Sequence, residues 1–371
     1  MNVQTRPQDR SASPARSAMA IADCDIHPVL PSVTALYPYM TQQWRSYLET
    51  YGTSLRQGHQ SGVNPYPKAQ PNAARRDAWP PGGGAPGTDL DFIRSQHLDA
   101  HNIVLGICNP LTPSGQGLLN PGLSAAMCRA NNEWQLHSLV TPEPRLRASI
   151  VVPYEATEAA VAEIRRYAGN PAFVQVLLLG RTADLLGKSA YRPIFRAAVE
   201  AGLPVAIHAF GYSGQPITGS GWPSFYIEEM IGHAQAAQAQ LISMVMEGLF
   251  EELPDLKVIM VEAGFAWLPS LAWRLDTTWE KLRDETPHLT MRPSDYIRRH
   301  VWLTTQPMEE PEPRAHLRDT MNWIGMDRLL FATDYPHWDF DDPAQAMPLN
   351  LTPEERDAFF IGNARALYRQ G

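Results

Sequence analysis

Apolar positions along the chain follow two alternating rhythms. Short β-branched and aliphatic runs recur at Ala20–His27, Ile103–Cys108, Arg147–Val152, Val174–Leu179, Pro204–His208, Lys257–Glu262, His300–Thr304 and Leu329–Asp334. Runs of this length predict strands. Between them lie stretches such as Glu155–Ala168, Tyr191–Ala201, Phe225–Leu253 and Trp267–Asp284, whose apolar residues return every three or four positions and predict amphipathic helices. Strands alternating with helices imply parallel βαβ units, and eight of them predict an α/β fold, a (β/α)8 TIM barrel. A doubly wound open sheet is the competing architecture.

Two segments break the rhythm. Residues 1–18 hold Arg, Ser and Pro with almost no large apolar residue and predict a disordered tail, leaving 19–371 as a single barrel domain. A transit peptide would share that composition, but Asp9 and the missing amphipathic stripe argue against one. After the first strand comes a long insertion, about residues 45–88, with Pro65, Pro67, Pro71, Pro80, Pro81, Pro86 and Gly82–Gly84. On the first βα loop it would lie over the barrel mouth, either as a lid or as a surface insert without a part in the chemistry.

Charge and composition narrow the partners. The 31 Lys+Arg against 39 Asp+Glu give a net charge of −8 without any basic block, which excludes nucleic acid and anionic membrane surfaces and favours a small-molecule substrate. No apolar run approaches the roughly 18 residues of a membrane span. The three cysteines, Cys24, Cys108 and Cys128, lack zinc-type spacing and read as reduced thiols. With no secretory leader recognisable, the expected location is the cytoplasm.

The ends of the strands carry the candidate chemistry. Strict alternation would put Asp23, Asp25 and His27 on one face and Cys24 and Ile26 on the other. An Asp and a His two apart at a strand end can reach one metal ion. His208 closes PVAIH, Glu262 closes KVIMVE and Asp334 closes LLFATD, so four strands end in a carboxylate or imidazole at the rim where a barrel builds its site.

On these residues the chain resembles the amidohydrolase superfamily, and within it the amidohydrolase-related branch that includes aminocarboxymuconate-semialdehyde decarboxylase. The resemblance runs from about Ala20 to Tyr368. It rests on Asp23 to His27 (DCDIH), His208, the block VEAGFAWLPSLAWRLD (Val261–Asp276), the block LLFATDYPHWDFDDP (Leu329–Pro343) and the closing IGNARALY (Ile361–Tyr368). It implies one divalent metal ion, Zn²⁺ or Mn²⁺, held by Asp25, His27, His208 and Asp334. Asp25 stands where the branch often has His, which favours the harder Mn²⁺.

Glu262 occupies a position that is usually His, where a carboxylate could act as base or contact the metal. With a metal-bound water as nucleophile, Asp334 or Glu262 would take its proton and later deliver it to the leaving group. Arg274 matches an arginine that reaches a substrate carboxylate, sometimes across a dimer interface, so a homodimer is expected; the other reading of Arg274 is a surface ion pair with Asp276 or Glu280. His337 and Trp338 follow Asp334 and would line the pocket, with His337 bonding substrate. Trp267, Trp222 and Phe210 follow other strand ends and would suit a flat or aromatic substrate. His97, His101, His137, His233, His288 and His316 read as structural or surface residues, and His59 in the insertion enters a site only if that loop closes.

The function expected from this set is a metal-dependent hydrolase, the ion lowering the pKa of water that attacks a small organic substrate. The alternative is a non-oxidative, metal-dependent decarboxylase of a hydroxylated aromatic or unsaturated acid. Glu262 tilts the balance toward hydrolysis, because a second carboxylate suits activation of water better than protonation of carbon. A non-catalytic metal-binding scaffold is the third reading.

Overall fold

The computed structural model describes residues 19–52, 71–111, 113–211 and 217–370. The expected tail over 1–18, residues 53–70 of the expected insertion, and His59 with them, lie outside the described residues. Eight parallel strands follow one another around the sheet: β1 (Ile21–Ile26), β2 (Ile103–Cys108), β3 (Leu146–Val151), β4 (Phe173–Arg181), β5 (Val205–Gly211), β6 (Val258–Val261), β7 (Val301–Thr304) and β8 (Leu329–Leu330). The helices are α1 (Gln42–Tyr51), α2 (Leu90–Ile93), α3 (Pro121–Trp134), α4 (Thr157–Tyr167), α5 (Arg192–Glu200), α6 (Tyr226–Met246), α7 (Leu249–Glu252), α8 (Leu268–Lys281), α9 (Pro293–His300), α10 (Arg314–Ile324), α11 (Pro353–Asp357) and α12 (Asn363–Tyr368). The long helix expected over Phe225–Leu253 is divided into α6 and α7 at Gly248, whose left-handed φ of 75° ends α6.

The barrel closes through the chain that follows β8. Only Leu329 and Leu330 pair with β7; beyond them Cys24 N donates to Phe331 O (3.0 Å), Asp334 N to Asp25 O (3.1 Å) and His27 N to Tyr335 O (2.8 Å). The run expected as one strand over Leu329–Asp334 therefore bonds first to β7 and then to β1. This closed ring of parallel strands with helices between them is a (β/α)8 barrel.

Two apolar layers fill it. Ala22, Leu105, Ile107, Val151, Leu177, Ile259 and Leu330 form one cluster with Leu367 and Tyr368 of α12. Ile21, Ile103, Ile150, Val176 and Leu178 pack in the other with the helices. In β1 the alternation slips: three steps from Asp23 to Ile26 stand against two from Gly106 to Cys108, a β-bulge. Cys24 stays with Ala22 in the first cluster, while Asp23 turns out to His97, in the wide turn Arg94–Leu98 that follows α2; the slip after Asp23 parts Asp25 from it. Asp23 therefore does not share a face with Asp25 and His27, contrary to strict alternation.

The described end of the insertion is pinned beside the barrel mouth. Ala74 forms an antiparallel bridge with His337, Trp338 N donates to Ala73 O (2.8 Å), Arg75 N donates to Pro336 O (3.0 Å), and the Arg75 guanidinium lies 4.1 Å from the Phe340 ring centre. Gly87, at φ 80°, has no room for a side chain: a Cβ would stand 2.6 Å from the His27 carbonyl oxygen.

Candidate active site

The strand ends bring Asp25, His27, His208 and Glu262 together, with one potential ligand atom of each within 4.8 Å of the others. His27 Nε2 lies 3.1 Å from Asp25 Oδ1 and 2.8 Å from Asp334 Oδ1, and His208 Nε2 lies 3.5 Å from Asp25 Oδ2 and 3.0 Å from Glu262 Oε2. Asp334 also accepts His337 Nδ1 at 2.7 Å, and the His337 ring stacks on His27 at 4.5 Å. Six of the seven sequence-selected site residues thus meet at one place. Glu262 and Asp334 reach it from left-handed backbone, φ 54° and 61°, a conformation costly for non-glycine residues and commonly kept where a side chain must be aimed.

Neighbouring groups fix this geometry. Glu309 accepts from Phe265 N (2.9 Å) and Ala266 N (3.2 Å), and Trp267 Nε1 donates to Ala263 O (2.9 Å), which together hold the turn after Glu262. Trp267 is thereby engaged beneath the β6 turn. Asn109 O accepts His27 Nδ1–H at 2.7 Å, leaving Nε2 as the lone-pair nitrogen, and Asn109 Nδ2 donates to Asp25 Oδ1 at 2.8 Å.

Asp25 Oδ2, His27 Nε2, both nitrogens of His208 and Asp334 Oδ2 are buried without a hydrogen-bond partner among the described residues. Close approach without hydrogen-bonding geometry is how ligands around a cation are arranged. Two imidazole nitrogens and carboxylate oxygens form a donor set suited to Mn²⁺ or Zn²⁺. These residues fit a divalent ion.

The charges are interdependent. Burial opposes ionisation of Asp25, but the neighbouring His27 and His208 outweigh it and hold its carboxyl far below the ordinary range. Burial likewise opposes charge on His208, yet Asp25 and Glu262 push it up to about 9. For Asp334 burial is outweighed by His337 and His27, which bring it to about 2. Asp339, close to Glu262 and Asp334, is pushed up to about 8 by burial and by those two carboxylates.

Other expected residues lie elsewhere. Arg274 is exposed on α8 and pairs with neither Asp276, which bonds Ser294, nor Glu280, which pairs with Arg292. Trp338 is 40% exposed at the rim, its Nε1 donating to Tyr226 OH at 3.3 Å. His233, His288 and His137 make structural contacts, as expected. His97 is structural too: it is fully buried and bonds Asp23 Oδ2 at 2.7 Å, a partner the sequence did not show. Sequence reasoning also passed over Asn109 and Asp339. A polar residue ending the apolar IVLGIC run, and the second Asp of DYPHWD, were the available signals.

Comparison with known proteins places the chain in a family. The Amidohydrolase family model matches residues 22–370. A gamma-resorcylate decarboxylase of Rhizobium sp. (strain MTP-10005) is 26% identical over 302 residues, covering 76% of this chain and 88% of that protein. An amidohydrolase of Mycobacterium avium subsp. paratuberculosis K-10 superposes with a TM-score of 0.71 at 18% identity, covering 95% of this chain and all (100%) of that one. A 5-carboxyvanillate decarboxylase of Novosphingobium aromaticivorans DSM 12444, solved with manganese and 4-hydroxy-3-methoxy-5-nitrobenzoic acid, superposes with a TM-score of 0.70 at 20% identity, covering 94% and 96% of the two chains. Among the described residues no helix is long and apolar enough to cross a membrane.

Proposed function

The chain belongs to the amidohydrolase family, and from that premise we propose that it is a metal-dependent carboxy-lyase that removes CO₂ from a hydroxylated aromatic acid. The observation that carries this choice over hydrolysis is the position of Glu262. In sequence, hydrolysis is favoured because a second carboxylate suits activation of water; Glu262 lies 3.0 Å from His208 Nε2, inside the ligand cluster, where it can contact the ion rather than take a proton from water. The decarboxylase relationship across 76% of the chain supports the same choice, whereas hydrolysis has only the breadth of the family behind it.

In this reading Asp25, His27, His208 and Asp334 hold a divalent ion, Mn²⁺ or Zn²⁺, with Glu262 beside it. When bound, the ion supplies a Lewis acid for the carboxylate and phenolic oxygens of the substrate. The chain's own residues then handle the proton. Decarboxylation breaks one C–C bond, releases CO₂ and forms one C–H bond at the vacated carbon. His337, bonded to Asp334 and only partly buried, is the group through which a proton reaches that carbon. Trp338 and Tyr226 at the rim suit a flat ring.

The test is metal-dependent release of CO₂ from a panel containing 2,6-dihydroxybenzoate and 5-carboxyvanillate. Turnover of lactones or amides without CO₂ would establish the hydrolase instead. We further propose a homodimer, in which Arg274 serves a second copy. Sedimentation velocity decides it, since a monomer leaves Arg274 on the outer face of α8 without a route to any site.

A further inference from the structure

A column of buried polar side chains runs through the barrel interior, where apolar residues are the rule. Tyr368 OH donates to Gln175 Oε1 (2.9 Å); Gln175 Nε2 donates to Ser149 Oγ (2.9 Å) and Asn109 Oδ1 (2.9 Å); Ser149 Oγ donates to Asn109 Oδ1 (2.8 Å). Asn109 Nδ2 completes the run at Asp25 Oδ1. Gln175, Ser149 and Asn109 are fully buried, and of the three Asn109 bonds Asp25 and His27.

We propose that Tyr368 is a positioning residue for the ligand set, acting through Gln175, Ser149 and Asn109 to fix which atoms of Asp25 and His27 face the ion. This rests on the metal reading above. The argument is one of direction. Asp25 Oδ1 and the Cys24 carbonyl, 3.4 Å from Asn109 Nδ2, can only accept, so the Asn109 amide must turn its NH₂ toward them. Its oxygen then faces Ser149 and Gln175, which requires Gln175 to present its own NH₂. The Gln175 oxygen is left pointing away from the site, and the Tyr368 hydroxyl is the donor that satisfies it. Asp25 Oδ1 is thereby occupied and Oδ2 remains open. The Asn109 carbonyl, held by the same residue, keeps the proton of His27 on Nδ1 and the lone pair on Nε2. Without the phenol, the Gln175 oxygen is buried unpaired, and the column loses the bond that holds the Gln175 amide in place.

The experiment is a Mn²⁺ titration, followed by EPR, of the full-length protein and of Tyr368→Phe, Asn109→Ala and Tyr167→Phe. The last removes a phenol from a half-buried bond to Glu133 outside the column and serves as the control. Asn109→Ala is expected to weaken Mn²⁺ binding about 10–100-fold and Tyr368→Phe about fivefold. In both, the bound Mn²⁺ signal broadens, a change that a loss of stability alone would not produce. Wild-type affinity and line shape in both column variants would overturn the proposal, as would an equal loss in Tyr167→Phe. If the unaltered protein fails to bind Mn²⁺, the metal reading itself falls and the column's role falls with it, which separates the two failures.

Discussion

Replacing Asp23 tests whether that residue belongs to the frame or to the ligand set. Its carboxylate is fully buried and accepts four bonds: from Asp25 N (3.2 Å), Thr333 N (2.9 Å), Thr333 Oγ1 (2.6 Å) and His97 Nε2 (2.7 Å). It ties β1 to the segment that carries Asp334. Asp23→Ala leaves two backbone N–H groups and one imidazole donor buried without partners, at roughly 1–3 kcal/mol each, while the Thr333 hydroxyl can rotate. Allowing for partial relaxation, the expected loss is about 4 kcal/mol, a large part of the ~5–15 kcal/mol that stabilises a typical domain. Asp23→Asn should cost less, about 1–2 kcal/mol. Its oxygen still accepts the two N–H groups, and its NH₂ faces a hydroxyl and an imidazole that can both turn to accept. Urea unfolding in EDTA measures the losses, and a parallel Mn²⁺ titration should find Asp23→Asn near wild type and Asp25→Asn without binding. A loss under about 1 kcal/mol for Asp23→Ala, or an Asp23→Asn variant as blind to Mn²⁺ as Asp25→Asn, would refute the reasoning.

Three further outcomes follow from the site. Asp25 and Glu262 raise His208 from 6.5 to about 9 in the metal-free protein. That pairing therefore contributes fully below the unfolded value and is lost as pH rises through about 9; thermal melts in EDTA should fall over this interval while Mn²⁺ affinity rises as the competing protons leave. Gly264→Ala places a Cβ 2.3 Å from Glu309 Oε1 at φ 63°, and should cost roughly 1–3 kcal/mol and weaken Mn²⁺ binding, both read from melts with and without the ion. Arg75→Pro removes the N–H that bonds Pro336 O and should lower kcat by loosening His337, with little change in Mn²⁺ affinity by titration.

The barrel was legible because buried parallel strands write themselves as short apolar runs, and β2 was found to the residue. The candidate site was legible because its carboxylates and imidazoles stand at the ends of those runs. Long-range pairing hid the rest. Nothing local in LLFATD says that its ladder leaves β7 after Leu330 and passes to β1. Alternation placed Asp23 with Asp25, and only the extra residue opposite β2 reverses its direction. His97 lacked a visible partner because the partner is 74 residues away. Asn109, Ser149 and Gln175 did leave a signal, being polar residues in or beside otherwise apolar strands, but their common purpose depends on Tyr368, which arrives from the other end of the chain. The preference for hydrolysis rested on Glu262, whereas the relatives that carry a named activity are decarboxylases and favour the alternative.

The most direct test of the central claim is to run the reaction of Mn²⁺-loaded protein with hydroxylated benzoic acids in D₂O and read the product by NMR. A carboxy-lyase should give CO₂ and, in equal amount, a phenol carrying one deuterium at the carbon that lost its carboxylate, with neither formed after EDTA or by Asp334→Asn. Turnover that incorporates oxygen from labelled water and releases no CO₂ would contradict it.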